Sequence, residues 1–165
     1  MALFPPGKGG GDKVDYGYKG KGILIHLLVD QKGMPLSFTT TCAKGSERGE
    51  VSKLVEKVNV KTGKPGRPPK KVKKVAMDKG YDSEPLRQAV REMGIQPQIP
   101  RKKNAKPRRG RPTEMTAPRF QVERSFSWLD RKFRRLAVRW ERISYCYDAY
   151  LLLGIIMIWM QKLVG

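Results

Sequence analysis

The stretch Val75-Ala76-Met77-Asp78-Lys79-Gly80-Tyr81-Asp82-Ser83 decides the fold class. Three apolar residues make a short strand that hands over directly to a carboxylate. Lys79-Gly80-Tyr81 reads as a turn and Ser83 as an N-cap, so residues 84–93 should form a helix that Gly94 ends. Residues 95–99, closed by Pro100, form a further short strand. Strand, helix, strand is the unit of an α/β layer, and strands joined through a helix are usually parallel. Such sheets place their sites at the C-terminal ends of strands, which is where Asp78 stands. The same residue also suits a loop aspartate capping the turn at 79–81, and position alone does not separate the two.

Upstream, residues 23–30 (ILIHLLVD) are nearly continuous apolar sequence and read as a strand covered on both faces. A turn at Gln31-Lys32-Gly33-Met34 leads into residues 36–42 (LSFTTTC), so the two runs form an antiparallel hairpin. His26, the only histidine, lies inside the first run and reads as a hydrogen-bonded core residue. Residues 47–58 carry Val51, Leu54, Val55 and Val58 on one helical face, with Ser46 as the N-cap. Residues 1–22 are rich in Gly and Lys and are expected to be an irregular, mobile start, with the folded domain running from 23 to 165.

Downstream, residues 118–137 should form one long helix and residues 147–163 a final apolar one. On the long helix Val122, Phe126, Leu129, Phe133 and Leu136 recur at spacings of three and four, which defines its buried stripe. Glu123 borders that stripe, one turn after Arg119. It suits either an ion pair with Arg119, worth a few tenths of a kcal/mol, or a site at the core edge. Trp128 and Trp140 read as core or rim packing. The expected architecture is a mixed sheet in the order β-β-α-β-α-β with flanking helices.

The whole-chain balance bounds the partners. The 165 residues carry 35 Lys and Arg against 15 Asp and Glu, a net charge of +20. An excess of that size needs an anionic partner to screen it, and nucleic acid is the commonest. Two well-separated cysteines, Cys42 and Cys146, give neither a disulfide framework nor a zinc site. The longest apolar run, 149–160, is too short for a ~30 Å hydrocarbon core, so the last helix is expected to be buried and no membrane partner is expected. The first residues, MALFPPGKGGG, do not have the pattern of a secretory signal. Basic residues cluster in loops at 62–74 and 101–111, the second containing Lys102, Lys103, Arg108, Arg109 and Arg111. Arg108 to Pro112 includes Arg-Gly-Arg-Pro, a string like those laid into narrow minor grooves, although a mobile basic loop making plain phosphate contacts accounts for it better. Arg131, Arg134, Arg135, Arg139 and Arg142 add a basic surface on the last helices.

A strand-end Asp78 and a helical Glu123 at the core edge are hard oxygen donors of the kind that hold Mg²⁺. Two such ions can clamp the attacking and leaving oxygens of a phosphodiester, but that normally takes a third carboxylate.

The strings YKGKGILIHLLVD, AMDKGYDSEPLR, GIQPQIPRKK, RGRP and FQVERSFSWLDRKFRRL, in this order, resemble bacterial insertion-sequence transposases of the DDE class, closest to insertion-sequence family five. The resemblance implies an RNase H-like α/β fold and Mg²⁺-dependent cleavage and strand transfer of double-stranded DNA. It implies that Asp78 is the second and Glu123 the third catalytic carboxylate, with Arg119 as the supporting arginine. It implies a cytoplasmic, nucleoid-associated protein, and a homodimer or a complementing N-terminal half as partner. The family's first catalytic Asp lies on a strand just upstream of the Gly-Lys-rich stretch, a place taken here by Met1-Ala2-Leu3. Two further family positions, a Tyr and a Lys, are Thr116 and Asp130 here. The chain is therefore expected to resemble the C-terminal half of a transposase, without the first central strand and its Asp. The alternative is a non-enzymatic basic DNA-binding fragment that modulates an intact transposase. Asp30 is expected to open the hairpin turn rather than to replace the first Asp.

Overall fold

The computed structural model describes residues 2–58, 72–101 and 120–164. Strands β1 (Ala2–Leu3), β2 (Asp15–Gly17), β3 (Gly20–Val29) and β4 (Pro35–Cys42) form an antiparallel sheet around β3. β1 pairs with one edge of β3, through Ala2 opposite His26 and Leu3 opposite Ile25. β2 and β4 follow one another along the other edge. Helix α1 (Glu50–Glu56) comes next. β5 (Lys74–Ala76), a 3-10 turn (Lys79–Tyr81), α2 (Glu84–Glu92) and β6 (Gln96–Gln98) then make the strand–helix–strand unit, with β5 and β6 parallel. Helices α3 (Phe120–Lys132), α4 (Arg134–Ala137) and α5 (Ser144–Val164) complete the chain.

Two apolar cores hold these layers, and β3 touches both. Ile23, Ile25 and Leu27 of β3 pack against Phe126 and Leu129 of α3, Leu136 of α4, and Tyr147, Leu151, Ile155 and Ile158 of α5. On the opposite face Leu28 packs against the second core, built by Val51 and Val55 of α1, Val75 of β5, Leu86 and Val90 of α2, and Ile95 and Ile99 around β6. This explains why residues 23–29 read as continuous apolar sequence: successive side chains alternate between two dry layers. Each large aliphatic side chain so buried stabilises the fold by about 1.5–3 kcal/mol.

The hairpin turn forms as the sequence predicts. Asp30 Oδ1 accepts from Lys32 N and Met34 N, both at 2.8 Å, and Gly33 takes the positive φ of +80° that the turn requires. His26 is buried, and its Nε2 lies 2.8 Å from Thr41 Oγ1.

Several elements differ from the sequence expectation. The helix expected over 47–58 covers Glu50–Glu56, with Gly49 at its N-cap and Ser46 Oγ accepting from Gly49 N at 3.4 Å. The start expected to be irregular instead supplies β1 and β2, and Gly7 N donates to Lys21 O at 3.0 Å. The helix expected over 118–137 breaks at Phe133, which has φ −122° and ψ 84°. Neither Gly nor Pro marks that break; Tyr147 Oη donates to Leu136 O at 2.7 Å and holds α4 in its own orientation. A single mixed sheet is also not what forms, because β5 and β6 make a sheet separate from the four-stranded one.

The final helix departs most. α5 starts at Ser144, where Asp12 Oδ1, 132 positions away, accepts from Ser144 N at 2.7 Å. Its 21 residues span about 32 Å, and by length and composition alone it would suit a membrane crossing. Its inner face is buried in the first core, and Trp159 Nε1 donates to Pro35 O at 2.8 Å. Its outer face, including Leu152, Leu153, Ile156, Met157 and Met160, is exposed, so the helix is half-buried rather than wholly buried.

Candidate functional site

Asp78 leaves β5 in extended conformation, with φ −69° and ψ 160°, and caps the 3-10 turn: its Oδ1 accepts from Lys79 N at 2.6 Å. The capping role and the strand-end position are thus both real. The turn after it is tied down twice. Arg87, 7% exposed, donates to Asp82 Oδ1 through Nε (3.0 Å) and Nη2 (2.8 Å), and Nη2 also reaches Ile99 O at 2.8 Å. Tyr81 Oη donates to Glu47 Oε2 at 2.7 Å. Burial, together with the acceptor carboxylate of Glu47, pushes the Tyr81 hydroxyl far above the usual phenol range, so it remains a donor.

Glu123 sits in the first turn of α3 on the exposed side. That end of α3 is pinned to the β3–β4 turn. Ser125, fully buried, donates to Gly33 O and to Gln121 O, the latter at 2.9 Å, and Arg124 Nη2 donates to Lys32 O. The pins orient the preceding residues, Gln121, Val122 and Glu123, toward the space between the two sheets.

That space is a groove of about 670 Å³. β3 and β5 form its walls; Glu47, Val51, Leu54 and Val55 cover one side, and Gln121, Val122 and Glu123 the other. Asp78 and Glu123, 45 positions apart in sequence, both line it. A smaller concavity of about 490 Å³ adjoins it and brings Ala2, Glu47, Tyr81 and Asp78 together.

Two buried polar atoms on the groove, His26 Nδ1 and Gln121 Oε1, have no hydrogen-bond partner among the described residues. Burial holds the His26 imidazole below its ordinary pKa, against the opposing pull of Glu50 and Glu47. The donors on this groove are hard oxygens, which fit a hard divalent cation. Among the described residues no three His, Cys, Asp or Glu converge into a metal-holding group.

Glu47 and Ser125, which fasten the turn and the helix beside the groove, are positions that the sequence reading did not single out. Glu47 gave no signal, since a glutamate at a helix start reads as a solvated residue. Ser125, inside the VERSF string, breaks an apolar pattern and was the detectable clue.

Of the basic residues, Arg131 and Arg134 are exposed. Arg135 Nε pairs with Glu141 Oε1 at 2.9 Å, its guanidinium 5.2 Å from the Tyr150 ring centre. Arg139, read from sequence as a surface cation, is instead fully buried, donating to Glu141 O (2.9 Å), Arg142 O (3.2 Å) and Asp12 Oδ1 (3.1 Å). Arg119, Lys102, Lys103, Arg108, Arg109 and Arg111 lie outside the described residues, as does the basic loop over 62–71. Cys42 and Cys146 are free thiols.

Residues 5–144 match a protein family described as the transposase DDE domain. A curated relative, "Putative transposase for insertion sequence element IS402" from Burkholderia cepacia, is 35% identical over 133 residues, covering 81% of this chain. The match covers 60% of the relative's length. No solved structure matches the chain.

Proposed function

The chain belongs to the transposase DDE domain family, and from that premise we propose that it is part of a DNA transposase whose metal site is built on Asp78 and Glu123. One observation carries the reading: two carboxylates far apart in sequence, on a strand end and a helix start, line the same groove. An antiparallel hairpin, a parallel strand–helix–strand unit and helices on both faces of the layer support an RNase H-like assignment.

In this reading Asp78 and Glu123 would hold Mg²⁺, and the first carboxylate would come from a strand upstream of Met1. When bound, the cation supplies charge neutralisation and activation of oxygen at the scissile phosphodiester. The chain's own residues orient and fasten. Arg87 and the Tyr81–Glu47 hydrogen bond fix the turn that presents Asp78; Ser125 and Arg124 fix the helix that presents Glu123. Arg119 orients Glu123 or contacts a phosphate. Lys102, Lys103, Arg108, Arg109, Arg111, Arg131, Arg134 and Arg135 neutralise the phosphates of the element ends and target. The protein works on DNA in the cytoplasm, at the nucleoid, as a homodimer or with a complementing N-terminal half.

The second reading is a DNA-binding fragment that competes with intact transposase. It is favoured by the lack of a three-carboxylate cluster among the described residues beside a net charge of +20. Nicking of a supercoiled plasmid in Mg²⁺ separates the two. The transposase reading expects nicking once an upstream strand bearing a carboxylate is supplied, and loss of it in Asp78→Ala and Glu123→Ala. Salt-sensitive binding with no nicking under any of these conditions supports the competitor.

A further inference from the structure

β2 and the start of β3 run beyond the apolar core and meet in a hairpin whose tip is aromatic and basic. We infer that this tip is a DNA-gripping finger: Tyr16 and Tyr18 stack on unpaired bases, and Lys19 and Lys21 hold phosphates of the strand led to Asp78. The inference rests on the transposase reading for the role of Asp78 alone; the finger stands on exposure, charge and position.

The hairpin is tight. Gly17 pairs with Gly20, which leaves Tyr18 and Lys19 as the loop between the strands. Gly20 closes the loop at φ +108°, a conformation that side chains rarely adopt. Tyr18 is 105% exposed, as open as in an extended peptide, and Tyr16 is 66% exposed. The fold therefore gains no burial from the Tyr18 ring, and that ring is free to pack on a partner. Tyr16 stands directly opposite Lys21, so the two share a face, with Lys21 Nζ 5.9 Å from the Tyr16 ring centre. Residues 16–21 carry Lys19 and Lys21 and no acid. Asp15, at the base of the hairpin, is paired with Lys44 Nζ at 3.2 Å.

The tip also has a fixed place beside the candidate site. Gly17 lies hard against the segment that follows β4: a Cβ there would come within 2.7 Å of Ala43 O. That segment carries Glu47 and Arg48. Lys19, Arg48 and Asp78 all line the concavity of about 490 Å³, with Glu47 and Tyr81. Arg48 donates to Gly80 O through Nε (3.1 Å) and Nη2 (2.7 Å), which holds its guanidinium beside the turn that Asp78 caps. Two carboxylates on that wall, Asp78 and Glu47, repel a phosphate backbone. Lys19 and Arg48 offset that charge where a strand must pass to reach Asp78.

The side chains select the partner. Aromatic rings interleaved with lysines match a strand with unpaired bases, in which every base offers a π-face and every sugar carries a phosphate. A two-stranded ribbon also fits the ~12 Å major groove of a duplex, but reading base edges there takes hydrogen-bonding side chains aimed at them, and this tip offers rings and ammonium groups instead. A net charge of +20 points to the same polyanion. A second copy of the chain is a poor occupant, because two such tips would bring like charges together.

The test is fluorescence anisotropy of the full chain in EDTA, which keeps metal chemistry out of the measurement. Two labelled DNAs are compared, a fully paired duplex and the same duplex with a short unpaired stretch. The chain is expected to bind the unpaired form more tightly. Tyr18→Ala should weaken binding to that form about tenfold, and Tyr18→Phe should retain it. The urea midpoints of both Tyr18 variants should match that of the parent chain. Lys19→Ala with Lys21→Ala should lower the magnitude of the log–log salt slope by about 2, whereas Lys57→Ala with Arg91→Ala, the same loss of charge on exposed side chains around α1 and α2, should leave it unchanged. A Tyr18→Ala variant that binds both DNAs as the parent does, or a paired lysine variant no different from the control pair, overturns the finger. So does a Tyr18 effect that appears as altered self-association in sedimentation rather than in DNA binding. Plasmid nicking in Mg²⁺ reports on the Asp78 chemistry separately. The expected Tyr18 and lysine effects without nicking refute the transposase reading and keep the finger; nicking with none of those effects does the reverse.

Discussion

At the residue scale, two buried polar side chains set measurable dependences. His26 is 1% exposed, and burial depresses its pKa below 6.5, with Glu47, Glu50 and Lys53 of the α1 region as its charged neighbours. Between the folded and unfolded values the unfolded state binds more protons, so stability rises with pH. The contribution is complete above about pH 6.5 and is lost as pH falls through the folded value. The melting temperature should therefore drop between pH 7.5 and 5.5, and His26→Gln should flatten that slope; an unchanged slope removes His26 as its source. Arg87 is a second case. Arg87→Ala removes two guanidinium hydrogen bonds from Asp82 Oδ1 and one from the Ile99 carbonyl, and should cost about 3 kcal/mol in denaturant unfolding. It should also weaken any metal binding through Asp78 further than stability alone explains, because the turn that presents Asp78 loses its anchor.

At the element scale, α5 divides into two faces with opposite sensitivities. Leu151→Ala on the inner face should cost about 2–5 kcal/mol, while Leu153→Lys or Met157→Lys on the outer face should stay within about 0.5 kcal/mol. Urea midpoints for the three variants check this, and equal losses on both faces would mean that the outer face is covered. The same helix shows what the sequence could and could not say. Its apolar run was plain, but its start was not, because the cap arrives from Asp12 across the fold. The α3–α4 break was equally hidden, since a Tyr147 hydroxyl rather than a Gly or Pro enforces it. The hairpin, the strand–helix–strand unit and the Asp78 turn were legible because their signals are local: short apolar runs, Gly33, Ser83 and Gly94. Asp78 and Glu123 were legible as strings, whereas their shared groove depends on pins from Ser125 and Arg124 to a turn 92 positions away.

At the scale of the whole molecule, net charge sets the expected partner. A net charge of +20 predicts DNA binding that weakens about a thousandfold between 50 and 200 mM salt if six or more phosphates are neutralised. Replacing both Arg131 and Arg134 by Ala should lower the magnitude of the log–log salt slope by about 2 without changing sequence preference. Fluorescence anisotropy over a salt series reads both; an unaltered slope would place the DNA elsewhere. Among the described residues the strands of the two sheets do not pair with each other, and the side chains of the second core pack between them.

Whether Asp78 and Glu123 converge on a single cation is most directly measured by iron-directed backbone cleavage of the chain, with Fe²⁺ substituting for Mg²⁺ and ascorbate and peroxide generating radicals at the bound metal. The account predicts cuts at two places together, around residues 76–80 and 121–125, both abolished by either Asp78→Asn or Glu123→Gln. Cuts at only one of these segments, or a pattern that either variant leaves intact, would contradict it.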